Sequence, residues 1–297
     1  MFSGSIVALI TPMTPSGEVD FVSLRRLVDY HMAAGTHAIA PMGTTGESPT
    51  LSTAEHLDVV RAVVEQADGR LPVIGGCGSN NTRQAIRLSR AMEDMGVAAG
   101  LSVTPYYNRP SQAALLAHYT AITEASGLPQ ILYNVPGRTG CDLLPDTVGR
   151  LAELAGVIGI KEASGRLERV SQLRACCGAD FLLFGGDDEL ALDVMRLGGQ
   201  GVISVTANVA AAEMSALMNA ALAGDWEQAE AINRLLLPLH RGLFCDTNPV
   251  PVKWACAERG LIDSAVPRLP LIPLNHSGQE RVRGALTEAN LRAWIQA

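Results

Sequence analysis

Long apolar runs, basic clusters and paired metal-ligand motifs are all missing from this sequence, and each absence removes a class of function. No apolar stretch approaches the ~20 residues needed to cross a bilayer. No basic stretch occurs either, and 23 Lys and Arg against 30 Asp and Glu give a formal charge of −7. Nucleic acid and membrane surfaces are therefore not expected as partners. The six cysteines (Cys77, Cys141, Cys176, Cys177, Cys245, Cys256) show no CxxC spacing. His31, His37, His56, His118, His240 and His276 form no HExxH or HxxxH pair, so neither a metal site nor a cofactor is expected. The opening MFSGSIVALITPMTPSG lacks a basic segment, and Pro12 interrupts its apolar run. It reads as a first strand and not as an export signal. A cytoplasmic protein with reduced, mostly buried thiols is expected.

What is present is a large apolar core. The chain has 297 residues, 47% of them hydrophobic, with a mean hydropathy of +0.17, which argues against disorder. Eight β-rich runs recur at a regular interval: 5–12, 37–43, 71–78, 98–105, 128–136, 157–164, 180–188 and 200–208. Most are continuously apolar, as parallel strands covered on both faces are. Between them lie segments of helical period with start and stop signals. Ser52 and Glu55 make a capping box; Asp20 opens a helix that Gly35 ends, and Gly96 ends another. Eight βα units in succession predict an α/β fold, a closed (β/α)₈ barrel; a doubly wound sheet usually has fewer strands. From about residue 209 only helices follow. Residues 1–224 are read as the barrel and 225–297 as a C-terminal helical extension. Within it, LPLIPL (269–274) is expected to lie packed across a neighbour.

Function in such a barrel sits at the carboxyl ends of the strands. Read in order, those ends offer Thr11, GTTGE (43–47), GSNN (78–81), PYYNRPS (105–111), YNVPGRTG (133–140), Lys161, GGDD (185–188) and SVTAN (204–208). They supply an amine, three tyrosines, hydroxyls, N–H groups and an arginine, but few carboxylates. That disfavours paired-acid hydrolysis and favours an imine-forming amine. Lys161 ends the apolar run GVIGIK, and lysine is almost never buried unpaired. It reads either as a buried nucleophile or as a strand end that has reached solvent, with Lys161 and Glu162 as ordinary surface charges. GTTGE reads either as a tight turn or as N–H groups offered to an anion. Tyr106, Tyr107 and Tyr133 are three of only five tyrosines, and their place at two strand tips leans towards function. The charges in EASGRLERV look like a solvated helix start.

Taken together, GSIVALITPM, GTTGES, VTPYYNRPSQ, PQILYNVPGRTGCDLLP, GIKEASG, GGDD, GVISVTANVA and NPVPVKWA resemble the dihydrodipicolinate synthases (4-hydroxy-tetrahydrodipicolinate synthases). These belong to the pyruvate-dependent class I aldolase superfamily, with N-acetylneuraminate lyase. The resemblance runs the length of the chain. It implies a lyase that condenses pyruvate with L-aspartate 4-semialdehyde on the route to diaminopimelate and lysine. It makes Lys161 the Schiff-base residue and Tyr133 the proton shuttle, with Thr44 and Tyr107 in a relay, Tyr107 crossing from a neighbouring subunit. Thr45 would hold the pyruvate carboxylate and Arg138 that of the semialdehyde, with Gly186 and Ile203 lining the pyruvate pocket. Homotetramers, built as pairs of dimers, are the family's usual state. Its feedback site for lysine is matched at Ser48, His56, Asn80 and Tyr106. Three further positions depart from the bacterial pattern of alanine, histidine and glutamate: Pro49, Thr53 and Gln84. Weak lysine inhibition is therefore expected. Two alternatives are a sialic-acid or sugar-acid lyase, whose sialic-acid branch lacks the arginine at 138, and a non-catalytic keto-acid sensor, which would have lost the lysine or the tyrosines.

Overall fold

Each of the eight apolar runs forms a parallel strand in the computed structural model, which describes residues 2–291. The strands are β1 (Gly4–Ala8), β2 (Ala38–Ala40), β3 (Ile74–Gly76), β4 (Ala99–Val103), β5 (Gln130–Asn134), β6 (Val157–Glu162), β7 (Leu182–Gly185) and β8 (Gly201–Ser204). The sheet runs in the order β2-β1-β8-β7-β6-β5-β4-β3, and its ends meet. Ile39 bridges Val73, the Ile39 N–H donates to the Pro72 carbonyl at 2.9 Å, and the Gly76 N–H donates to the Pro41 carbonyl at 3.0 Å. The protein is a TIM barrel.

The helices between strands are α1 (Phe21–Ala33), α2 (Thr53–Ala67), α3 (Thr82–Asp94), α4 (Gln112–Ala125), α5 (Pro136–Thr139), α6 (Pro145–Ala152), α7 (Glu168–Cys177) and α8 (Ala191–Arg196). After β8 come α9 (Ala211–Leu222), α10 (Trp226–Gly242), α11 (Val250–Glu258) and α12 (His276–Ala289). The start signals work as their chemistry requires. The Asp20 carboxylate accepts from the Val22 and Ser23 N–H groups, and Ser52 and Glu55 cap α2 reciprocally. Gly35 and Gly96 stand just beyond α1 and α3 at positive φ.

Two apolar layers follow from the strand period of two. Ile6, Ala38, Ile74, Leu101, Ile131 and Phe184 fill the barrel interior, while Leu132, Ile160 and Leu183 face the helices. The extension's Leu236, Leu239, Val252 and Val282 join the same buried cluster as Leu27, Val60 and Leu217.

β6 breaks the alternation. Gln130 pairs Val157, but Ile131 pairs Gly159, so Ile158 is an extra residue opposite the step. Val157 and Ile160, three apart, both face the helices. Strict alternation from Val157 would send position 161 outward; the bulge flips the parity and turns Lys161 into the barrel.

Several expectations are corrected here. LPLIPL does not pack throughout: Leu274 is buried, but Leu269 and Ile272 are exposed, since two prolines bar the regular backbone that would lay every side chain on one face. EASGRLERV is not simply solvated, because Glu162 and Arg169 are buried. The Glu162 carboxylate accepts from Asn134 and from the Ser164 N–H, and Arg169 pairs with Asp142 at 2.9 Å. Burial pushes the Asp142 carboxyl up, but Arg169, Asn134 and Arg166 outweigh it and hold the group below the ordinary aspartate range. The six cysteines are free; Cys77, Cys141 and Cys256 are buried, whereas Cys176 is exposed. The last helix was expected through residue 297; 292–297 lie outside the described residues.

Candidate active site

Lys161 sits near the tip of β6 with 5% of its surface exposed. Its strand neighbour across the β5–β6 ladder is Tyr133, and the Lys161 Nζ lies 4.5 Å from the centroid of that ring. The ring's π face favours a cation there. Among the described residues no carboxylate is ion-paired with Lys161, so the amine stands dry and unmatched by charge. Gly186, after β7, makes room for it: a Cβ there would come 3.0 Å from the Lys161 Cε and 2.5 Å from the Ala163 Cβ. Only a residue without a side chain leaves the amine space to form a new bond.

A cavity of about 490 Å³ opens over Lys161, bounded by Thr45, Tyr133, Arg138, Gly186, Asp187 and Asn248 among others. A second, of about 270 Å³, lies beside it and is lined by Thr44, Ser48, Pro49 and Tyr106. Tyr133 and Arg138 border both. Arg138 is carried by α5, just past the β5 tip. Its guanidinium is exposed and has no carboxylate partner among the described residues.

The GTTGE loop folds as a tight turn. The Gly46 and Glu47 N–H groups are taken by the Gly43 and Thr44 carbonyls at 3.1 Å. Among the described residues, the N–H groups of Gly43, Thr44 and Thr45 have no protein acceptor. A concave run of free N–H groups is a ready site for a carboxylate. Thr45 is buried, and its Oγ1 accepts from the Asn248 Nδ2 at 3.0 Å.

Other strand-tip candidates prove structural. Thr11 donates to the Gly46 carbonyl at 2.6 Å, Asn81 caps α3, and one Asp188 oxygen accepts from the Val205 and Thr206 N–H groups. Ile203 is fully buried in the barrel interior with Tyr133. Of the proposed relay, Thr44 and Tyr133 border one cavity, but Tyr107 does not reach them within this chain. It is 90% exposed with φ +74°.

Four of the residues expected at a feedback site form two pairs. The Asn80 side chain donates to the Tyr106 carbonyl at 3.2 Å, and Gln84 donates to Thr53 at 3.1 Å. His56 is buried against the Gly76 carbonyl at 2.7 Å, and burial lowers its pKa despite that bond.

Sequence reasoning missed the extension's share of the site. His240, Arg241, Phe244 and Asn248 wall the larger cavity. Arg241 is occupied by Glu189, bonded through Nε at 2.7 Å. Asp187, beside them, has its pKa raised by burial and by Asp188 and Glu189. Missed too was the partner of Glu47: Lys253 meets its carboxylate at 2.5 Å with neither side chain exposed. The NPVPVKWA motif carried a signal for Asn248 and Lys253, and nothing in the sequence pointed to His240, Arg241 or Phe244. Among the described residues, no group of His, Cys, Asp and Glu is arranged to hold a metal ion, and no helix is long and apolar enough to cross a membrane.

The chain is similar to known proteins over nearly its whole length. The model of the dihydrodipicolinate synthetase family matches residues 1–289. A 4-hydroxy-tetrahydrodipicolinate synthase of Sodalis glossinidius (strain morsitans) is 57% identical over 291 residues, 98% of this chain and 100% of its own. The chloride-inhibited dihydrodipicolinate synthase of Acinetobacter baumannii, solved in complex with pyruvate, superposes with a TM-score of 0.96 at 48% identity, over 98% of this chain and 100% of that one. A monomeric dihydrodipicolinate synthase variant gives 0.95 at 39%, over 98% of each chain.

Proposed function

This chain belongs to the dihydrodipicolinate synthetase family and catalyses the 4-hydroxy-tetrahydrodipicolinate synthase reaction, and we propose that Lys161 is the amine that carries it. The substrates are pyruvate and L-aspartate 4-semialdehyde, on the route to diaminopimelate and lysine. The observation behind the assignment is a buried lysine without a carboxylate partner, facing a cavity whose wall holds Thr45 and Arg138.

The neutral Lys161 amine adds to the pyruvate ketone, and loss of water leaves a protonated imine. That imine withdraws electrons, so a methyl proton departs and an enamine forms. The enamine carbon attacks the aldehyde carbon; a C–C bond forms and the aldehyde oxygen takes a proton to become the hydroxyl. The semialdehyde's amine then adds to the imine carbon and expels Lys161, closing the ring and restoring the enzyme. Each step moves a proton over a short distance, which suits a positioned phenol. Tyr133, against the Lys161 Nζ, is the shuttle, with Thr44 next in the relay. Tyr107 completes it from a second copy of the chain, in a homotetramer of paired dimers; an almost wholly exposed tyrosine at the site's rim supports that reading. Thr45 and its free N–H neighbours hold the pyruvate carboxylate, Arg138 grips the semialdehyde carboxylate, and Gly186 and Ile203 shape the pyruvate pocket. Residues 1–224 form the catalytic barrel, with the remainder as its extension. Cytoplasmic residence is supported by the six free thiols.

Borohydride reduction in the presence of pyruvate tests the assignment. Peptide mapping should find the adduct on Lys161, and an adduct on Lys253 would overturn it.

Regulation follows from the side-chain pairs Asn80–Tyr106 and Gln84–Thr53. Gln84 offers an amide carbonyl where a cationic effector needs a carboxylate, and its side chain is already bonded to Thr53. Lysine should inhibit weakly, and Gln84→Glu should strengthen inhibition by about tenfold. Tight inhibition of the unmodified protein with no gain in the variant would overturn this.

A further inference from the structure

The residue that touches Thr45 comes from outside the barrel's eight βα units. Asn248 lies between α10 and α11, is 6% exposed and borders the cavity over Lys161. Its Nδ2 donates to the Thr45 Oγ1 at 3.0 Å, while its Oδ1 has no protein partner. The direction of that bond matters. An amide nitrogen can only donate, so the Thr45 oxygen accepts and its own proton stays free for another acceptor. The same stretch of chain fixes the far end of the loop. Lys253 on α11 donates to Glu47 at 2.5 Å and to the Val266 carbonyl at 2.9 Å. The other Glu47 oxygen accepts from the Arg268 N–H at 2.9 Å. Glu47 itself sits in left-handed backbone, at φ +56°. Thr45 and Glu47 are thus gripped two residues apart by one segment of the extension.

We propose that Asn248 is a positioning residue for the 2-oxo acid's carboxylate: by occupying the Thr45 oxygen it fixes the Thr45 hydroxyl as a donor into the cavity. The proposal rests on the reading that Thr45 holds that carboxylate, and it adds what makes Thr45 a donor. It also gives the extension a part in binding the first substrate and none in binding the second.

The test compares Asn248→Ala, Asn248→Asp, Thr45→Val and the double variant Thr45→Val/Asn248→Ala by steady-state kinetics with both substrates and by thermal midpoint. Asn248→Ala should raise the apparent pyruvate KM by about tenfold, the worth of one hydrogen bond to a charged group. The aldehyde KM and the kcat at saturating pyruvate should stay within about twofold, since only ground-state binding is lost. Asn248→Asp should be worse than the alanine variant, because a carboxylate takes the Thr45 proton and repels the substrate's charge. The double variant should be no worse than Thr45→Val alone. If Thr45→Val raises the pyruvate KM and Asn248→Ala does not, the proposal falls and the Thr45 reading stands. If neither variant changes it, the Thr45 reading falls and takes the proposal with it. A matched loss of midpoint, kcat and both KM values in Asn248→Ala, or an aspartate variant as good as the original, would also overturn it.

Discussion

Two lysines are all this chain has, both are buried, and they are built for opposite ends. Lys253 is enclosed with Glu47 at 2.5 Å and a second acceptor in the Val266 carbonyl. Burial lowers its pKa and the nearby carboxylate works the other way, the pattern of a charge taken out of water with its countercharge. Lys161 is nearly as dry but has an aromatic ring where Lys253 has a carboxylate. A buried amine without a countercharge costs free energy. Burial is common to the two lysines; the countercharge is what separates them.

Exchanging each amine for an apolar side chain breaks the comparison most severely. Lys161→Met should abolish both the borohydride-trapped adduct and condensation, yet raise stability by about 1 kcal/mol by removing a buried polar group that has no countercharge. Denaturant unfolding checks the second half, and a loss of stability would show that Lys161 is structural. Lys253→Met should do the reverse, costing about 3–5 kcal/mol because buried Glu47 loses its countercharge. Adding Glu47→Gln to that variant should return part of the loss. If the double variant unfolds at the same denaturant concentration as the single one, the countercharge is not what matters.

Arg138 sharpens the contrast: like Lys161 it has no carboxylate partner among the described residues, but it stands in solvent. Its guanidinium is free to take a carboxylate in bidentate fashion, which lysine cannot reproduce. Arg138→Ala should raise the apparent KM for aspartate semialdehyde by about ten- to hundredfold and leave pyruvate trapping intact. Equal collapse of trapping would place Arg138 on the first substrate.

Mild acid probes a different set of buried groups, the neutral histidines. Burial pushes His31 down to about 3 and His118 to about 4. Unfolded histidine takes its proton near pH ~6.5. Below that, and down to the folded values, the unfolded chain binds more protons, so stability falls as pH falls. The slope is about 1 kcal/mol per pH unit for each histidine. Urea midpoints at pH 7 and pH 5 should show this, with a smaller drop for His31→Gln; an equal drop would assign the effect elsewhere.

The eight strands, their order along the chain and the caps were legible because each rests on short-range pattern. Lys161, Tyr133 and the GTTGE loop were legible as strand tips for the same reason. The inward turn of Lys161 was not. It depends on the extra residue at Ile158, and nothing in VIGIK distinguishes a bulged strand from a regular one. The extension's contribution was hidden because the barrel repeat ends before it, so no periodicity points from Asn248 to Thr45. Tyr107 was legible as a candidate, but one chain cannot show what meets an exposed ring.

The Glu47–Lys253 bond joins residues 206 apart. During synthesis the loop after β2 emerges early, while the helix that clamps it is among the last parts to leave the ribosome. Contacts of that span form late and slowly. A growing chain therefore lays down all eight strands, Lys161 among them, before the GTTGE loop has its clamp. A premature stop before residue 248 would leave Thr45 without Asn248 and Glu47 without Lys253, so the last quarter of the message completes a loop encoded in its first.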